Sequence, residues 1–134
     1  MKKFILGILL VVVTLSLFVA CAKTTTYSLS TLESDDPLRN SAALYEYNRI
    51  EFCDDETFTV ETKMASDGVK TSVSGKYVRT KDQVYLYDEN GLPIVLWTTD
   101  ERIILSDGVL TVSGTRHNGT DTPYTYKATY QIGK

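Results

Sequence analysis

Few side chains in this 134-residue sequence carry reactive groups, and the spacing of those few decides what chemistry they could perform. The thiols are Cys21 and Cys53, the one histidine is His117, and acids gather in Asp54-Asp55-Glu56 and Asp88-Glu89-Asn90. A nucleophilic site needs a base within reach of a thiol or hydroxyl. His117 lies instead in the polar stretch Arg116-His117-Asn118-Gly119-Thr120, which reads as a solvated loop. Zinc and copper take three or four nitrogen or sulfur ligands, more than this sequence can supply. Neither acidic run keeps the alternate spacing of a calcium loop, and both read as turns. The residues therefore point to no catalytic group, no metal and no cofactor. A hydrolase would require folding to gather Asp54, Glu56 and His117 into one acid-base cluster.

Position, not reactivity, singles out Cys21. Met1-Lys2-Lys3 supplies two cations, Phe4 to Ala20 is an apolar run of 17 residues, and Ala20 is small; in that order they read as an export signal, residues 1–20, cut beside a small side chain. At about 1.5 Å per residue the run spans about 25 Å, short of the roughly 30 Å of a hydrocarbon core, which argues against an uncleaved spanning helix. Leu17-Phe18-Val19-Ala20-Cys21 resembles the lipobox of bacterial lipoproteins, with Phe18 where that family usually carries leucine. The resemblance implies a diacylglyceryl group on the Cys21 thiol and a chain held on the extracytoplasmic side of an envelope membrane. Each buried methylene of such an anchor contributes about 0.8 kcal/mol, so several chains make a lasting attachment. With Cys21 used in this way, Cys53 is left without a partner and reads as a small apolar strand residue.

Removing residues 1–20 leaves room for one domain with a modest core. It also removes Lys2 and Lys3, so 12 basic residues face 17 acidic ones for a net charge of −5. With its lysines scattered, such a chain would repel a phosphate backbone, and nucleic acid is excluded as a partner. Residues 21–36 are rich in Ser and Thr, with Tyr27, Leu29 and Leu32 too widely spaced for a periodic face; they read as a flexible tether of about 20 Å span. The barrel domain is expected over 37–134. Asp36-Pro37 reads as an N-cap before a first-turn proline, with Leu38, Ala42 and Tyr45 at helical spacing. One short helix is one reading; an irregular segment running into a strand near Leu44 is the other, because Asn40 and Ser41 are poor helix interiors.

Beyond Asn48 the period of the pattern is two. Strands are expected around Ile50 and Phe52, Phe58 and Val60, Val69 to Arg79, Val84 to Tyr87, Ile94 to Thr98, Arg102 to Leu105, Val109 to Val112 and Tyr124 to Ile132. Turn signals separate them, with Asn90-Gly91 supplying the positive φ that a tight hairpin needs. Connections this short allow only antiparallel neighbours. Closing such a meander removes its two exposed edges, so the expected fold is all-β, a small up-and-down barrel of about eight strands.

Thr57-Phe58-Thr59-Val60, Ser74-Gly75-Lys76-Tyr77, Val84-Tyr85-Leu86-Tyr87 and Leu105 to Val112 are similar to the small lipocalin-like domains of bacterial lipoproteins over roughly residues 48–132. That resemblance implies an interior or mouth able to hold an apolar ligand. Aromatic residues supply the candidate contacts: Tyr85 with Tyr87 and Tyr124 with Tyr126 repeat at strand spacing, so each pair shares a face, and Trp97 is the sole tryptophan. Tyr45 and Tyr47 are expected to share a face in the same way. In the segment Val84 to Tyr87 either set could line the interior. The functional expectation is a membrane-anchored, non-enzymatic binding module for an unknown ligand or a protein partner of the envelope or exterior, with a lipocalin-like carrier of a small apolar ligand as the alternative.

Overall fold

The computed structural model describes residues 23–98, 100–116 and 123–133. The expected signal, Cys21 and His117 lie outside them. Eight strands form one closed antiparallel barrel in sequence order: β1 (Thr24–Ser34), β2 (Tyr45–Cys53), β3 (Thr57–Met64), β4 (Lys70–Thr80), β5 (Gln83–Tyr87), β6 (Arg102–Ser106), β7 (Val109–Arg116) and β8 (Tyr124–Ile132). The last strand pairs with the first, from Tyr27 opposite Ile132 to Ser34 opposite Tyr126. No free edge is left by the meander as a whole.

The segment read as a tether is therefore a wall of the barrel. Its pattern misleads because Ser30 is a bulge: the register with β8 shifts between Leu29 and Thr31, so Leu29 and Leu32 both meet the core across an odd spacing. A second correction concerns the helix. Asp36 Oδ1 accepts the Leu38 N–H and its carbonyl accepts the Arg39 N–H, which makes a turn, and only a 3-10 turn at Ala42–Leu44 follows, capped by Ser41. A third concerns Ile94 to Thr98, where the expected strand reduces to a bridge between Tyr87 and Pro93 and one bond from Ile94 N–H to the Leu86 carbonyl. The Asn90-Gly91 turn does form, with Asp88 Oδ1 accepting from Asn90 and Leu92. The strand does not continue past Ile94 because the N–H groups of Leu96, Trp97 and Thr98 go to the Glu101 carboxylate.

Short turns, Asp54 to Glu56, Lys81-Asp82 and Asp107-Gly108, close one end of the barrel, which we call the floor. The connections 35–44, 65–69 and 88–101 lie at the other end, the mouth. Ile50, Leu110, Val112 and Ala128 fill the middle with no exposed surface, and burial of each larger apolar side chain contributes about 1.5 to 3 kcal/mol. Towards the floor, Phe52 packs edge-on against both Tyr27 and Tyr77, at 5.8 and 4.8 Å. Arg79 crosses the floor, giving Nε–H to the Lys81 carbonyl and Nη2–H to that of Leu105.

Gly75 sets the shape of the upper wall. A Cβ there would lie 2.1 Å from the Tyr87 carbonyl oxygen, so the backbones of β4 and β5 approach as closely as only glycine allows. Above this point they part: β5 pairs only with Lys76 to Thr80, and Val73, although its partner Val60 is buried, stays 42% exposed. We expect Gly75→Ala to lower the unfolding free energy by about 1 to 3 kcal/mol, as overpacking does, measured by urea denaturation.

Candidate functional site

Among the described residues, a recess lies at each end of the barrel. The recess at the floor, about 300 Å³, is bordered by Lys23, Tyr27, Cys53, Tyr77, Arg79 and Leu105. Its polar groups are already engaged, Arg79 on two carbonyls and the Tyr77 hydroxyl on the Cys53 carbonyl at 3.0 Å. The recess at the mouth is larger, about 450 Å³, and half open to solvent. Leu32, Leu44, Val60, Met64 and Leu96 give it apolar walls, Tyr45, Trp97 and Tyr130 add aromatic surface, and Asn48, Thr62, Thr71, Arg39 and Arg116 add polar groups. Its lining thus mixes apolar and polar groups, both of which small-molecule sites use.

The loop between β5 and β6 builds the most distinctive part of this wall. Glu101 accepts three backbone N–H groups, those of Leu96 at 2.6 Å, Trp97 at 2.8 Å and Thr98 at 3.3 Å. A carboxylate that takes these donors removes them from any strand ladder. The chain is thereby folded inward, and Trp97 stacks on Tyr126 at 5.4 Å with Tyr45 edge-on at 6.1 Å. Asp100 Oδ1 ties the same loop to β7, accepting from Thr115 N–H and the Thr98 hydroxyl. Gly114 makes room: a Cβ there would come within 3.0 Å of Thr98 Oγ1 and of the Tyr126 hydroxyl.

Deeper in, the Tyr130 hydroxyl donates to Asn48 Oδ1 at 3.1 Å, a buried pair. Burial is the largest cause that raises the pKa of both Tyr130 and Tyr126; for Tyr126 the neighbouring Glu101 adds to it. Tyr45 is raised by burial too, partly offset by Arg39. These phenols are neutral hydrogen-bonding groups at neutral pH, not bases.

The candidate aromatic residues divide between two places. Trp97, Tyr124 and Tyr126 come together at the mouth, where a small crevice also brings Arg39 and Arg116 to them. Tyr85 and Tyr87 point to the outer wall, because Val84 and Leu86 are the buried pair of β5. Tyr45 and Tyr47 do not share a face as expected. A bulge in β2 separates them, sending Tyr45 to Trp97 and Tyr47 under the Arg49 guanidinium at 4.6 Å.

Three wall residues escaped the sequence reading. Asn48 precedes Ile50 and Phe52 in inward phase, a polar residue on an apolar face, which was a usable signal. Arg39 and Arg116 sit next to polar loops and carry no such mark. Asp54 and Glu56 lie in the β2–β3 turn at the floor, whereas Arg116, which ends β7, is at the mouth. Cys53 ends β2 as the buried strand residue expected, 6% exposed, but it is disulfide-bonded and so not left without a partner.

No protein-family model, curated protein or solved structure matches the chain.

A phenol whose folded pKa lies above the unfolded value of about 10 keeps its proton longer in the folded state. Its contribution to stability is therefore intact below about pH 10 and is lost as pH rises towards the higher folded value. In an alkaline titration followed by phenolate absorbance, Tyr126 and Tyr130 should ionise last, together with loss of the barrel's circular dichroism. Tyr130→Phe should lessen this alkaline loss.

Proposed function

We propose that this protein is a non-enzymatic binding protein that holds a small, largely apolar ligand in the mouth of its barrel. One observation carries the reading: the core is filled in its middle, yet the upper half keeps an open recess of about 450 Å³. A barrel built only for stability would pack this space with side chains, because interiors approach crystalline density. Aromatic and aliphatic walls recognise an apolar body, and the Asn48 and Tyr130 pair offers polar contacts for orientation.

We propose further that the chain is a lipoprotein of the bacterial envelope, anchored through Cys21. The motif before that cysteine and the net negative charge of the mature part support this. With Cys21 carrying the lipid, the sequence holds no second thiol for Cys53, so the anchored form carries Cys53 as a buried thiol. A second reading, docking of a protein partner, draws on the outer wall, where Tyr85 is 40% exposed opposite Val78 at 52%.

The neutral probe N-phenyl-1-naphthylamine should brighten on binding the wild-type protein, with energy transfer from Trp97. Thr71→Phe, which fills the recess from the exposed end of β4, should weaken binding by about tenfold or more while leaving thermal stability unchanged; unchanged binding would refute the cavity site.

For the anchor, an alkyne palmitate analogue should label the mature chain in wild-type cells and not in Cys21→Ala. In the labelled protein Cys53 should react with maleimide on unfolding without any reductant. A need for reductant, with no label, would show the disulfide form instead.

A further inference from the structure

Arg39 and Arg116 come from different elements, the β1–β2 connection and the end of β7, yet both border the mouth recess and the small crevice beside Trp97, Tyr124 and Tyr126. Neither guanidinium forms an ion pair or a side-chain hydrogen bond among the described residues. The neighbouring acids, by contrast, are committed. Asp36 accepts the Leu38 N–H, Asp100 the Thr115 N–H, and Glu101 three N–H groups of its own loop. Two guanidinium groups therefore border one recess without an ion pair among the described residues.

Two other arginines are satisfied within the fold: Arg49 pairs with Glu61, and Arg79 spans two carbonyls. A guanidinium has five donors and binds a carboxylate or phosphate through two at once. The two arginines share the recess with the aliphatic side chains of Leu32, Leu44, Val60 and Leu96.

We propose that the ligand is an amphipathic anion, its aliphatic body inside the mouth recess and its charged group between Arg39 and Arg116. This rests on the reading that the recess is a ligand site. The anion adds charge-assisted bonds that a neutral molecule of the same shape cannot make, and these weaken as salt screens them.

Dodecanoate and dodecanol, each kept below self-association, are titrated into the purified protein by calorimetry and by Trp97 emission. Dodecanoate should bind about tenfold or more tightly than dodecanol, and added salt should narrow the gap. The double variant R39Q/R116Q should lose the preference while keeping its affinity for dodecanol. Arg39 is exposed on a connection, so R39Q alone should reduce the preference if the double variant does not fold. Equal affinity of the two probes in wild type, or a preference that survives the substitutions, would overturn the anion and leave the cavity site standing. No binding of either probe would overturn both.

Discussion

The pairing of β1 with β8 is the constraint on which the rest of the molecule depends. Eight short strands in sequence order make a sheet with two raw edges, and here the first and last strands satisfy each other's backbone groups. The seal is reinforced at its upper end, where the Asp35 carboxylate accepts the Thr125 N–H at 2.7 Å and the Ser34 hydroxyl donates to the Thr125 carbonyl at 2.9 Å. Because closure fixes the circumference, interior residues cannot spread to fill whatever space is left. The middle packs tightly around Leu110, Val112 and Tyr130, and the shortfall of volume collects at the mouth.

One gap in this wall is filled by something other than a strand. β5 and β6 pair at Gln83 with Ile104 and at Val84 with Ile103 only, so the upper part of that seam would be open. The connection 88–101 lies over it, with Ile94, Leu96 and Trp97 packed against the core. A loop can do this only if its own backbone is satisfied, and Glu101 meets that need with one carboxylate. The same residue that spoils a potential strand therefore places the tryptophan. Structural economy and the composition of the cavity wall have a common source here.

Much of the fold was readable because alternation is a strong signal where no bulge intervenes. Tyr124, Tyr126, Ala128, Tyr130 and Ile132 follow a period of two in the sequence; the structure places the first four on the inner face and leaves Ile132, at the floor, 53% exposed. The number of strands was right, but one member was exchanged: β1 was missed and Ile94 to Thr98 was included. The reasons are physical. A single extra residue, Ser30, inverts the phase of Leu32 relative to Leu29, and a window that assumes one phase sees noise. At Ile94 to Thr98 the local pattern favours a strand, but a carboxylate later in the chain takes the hydrogen bonds. Tyr85 and Tyr87 were ambiguous because both faces of their strand could pass as buried. Arg39 and Arg116 could not be found from sequence, since what marks them is their meeting at a recess made by several elements.

Strand β1 begins at Thr24, opposite Cys53 at the floor, and the Lys23 carbonyl already accepts the Asp54 N–H. On the proposed anchor at Cys21, only Ala22 would separate the lipidated residue from Lys23, and the point of attachment would lie at the floor, at the opposite end of the barrel from the mouth recess.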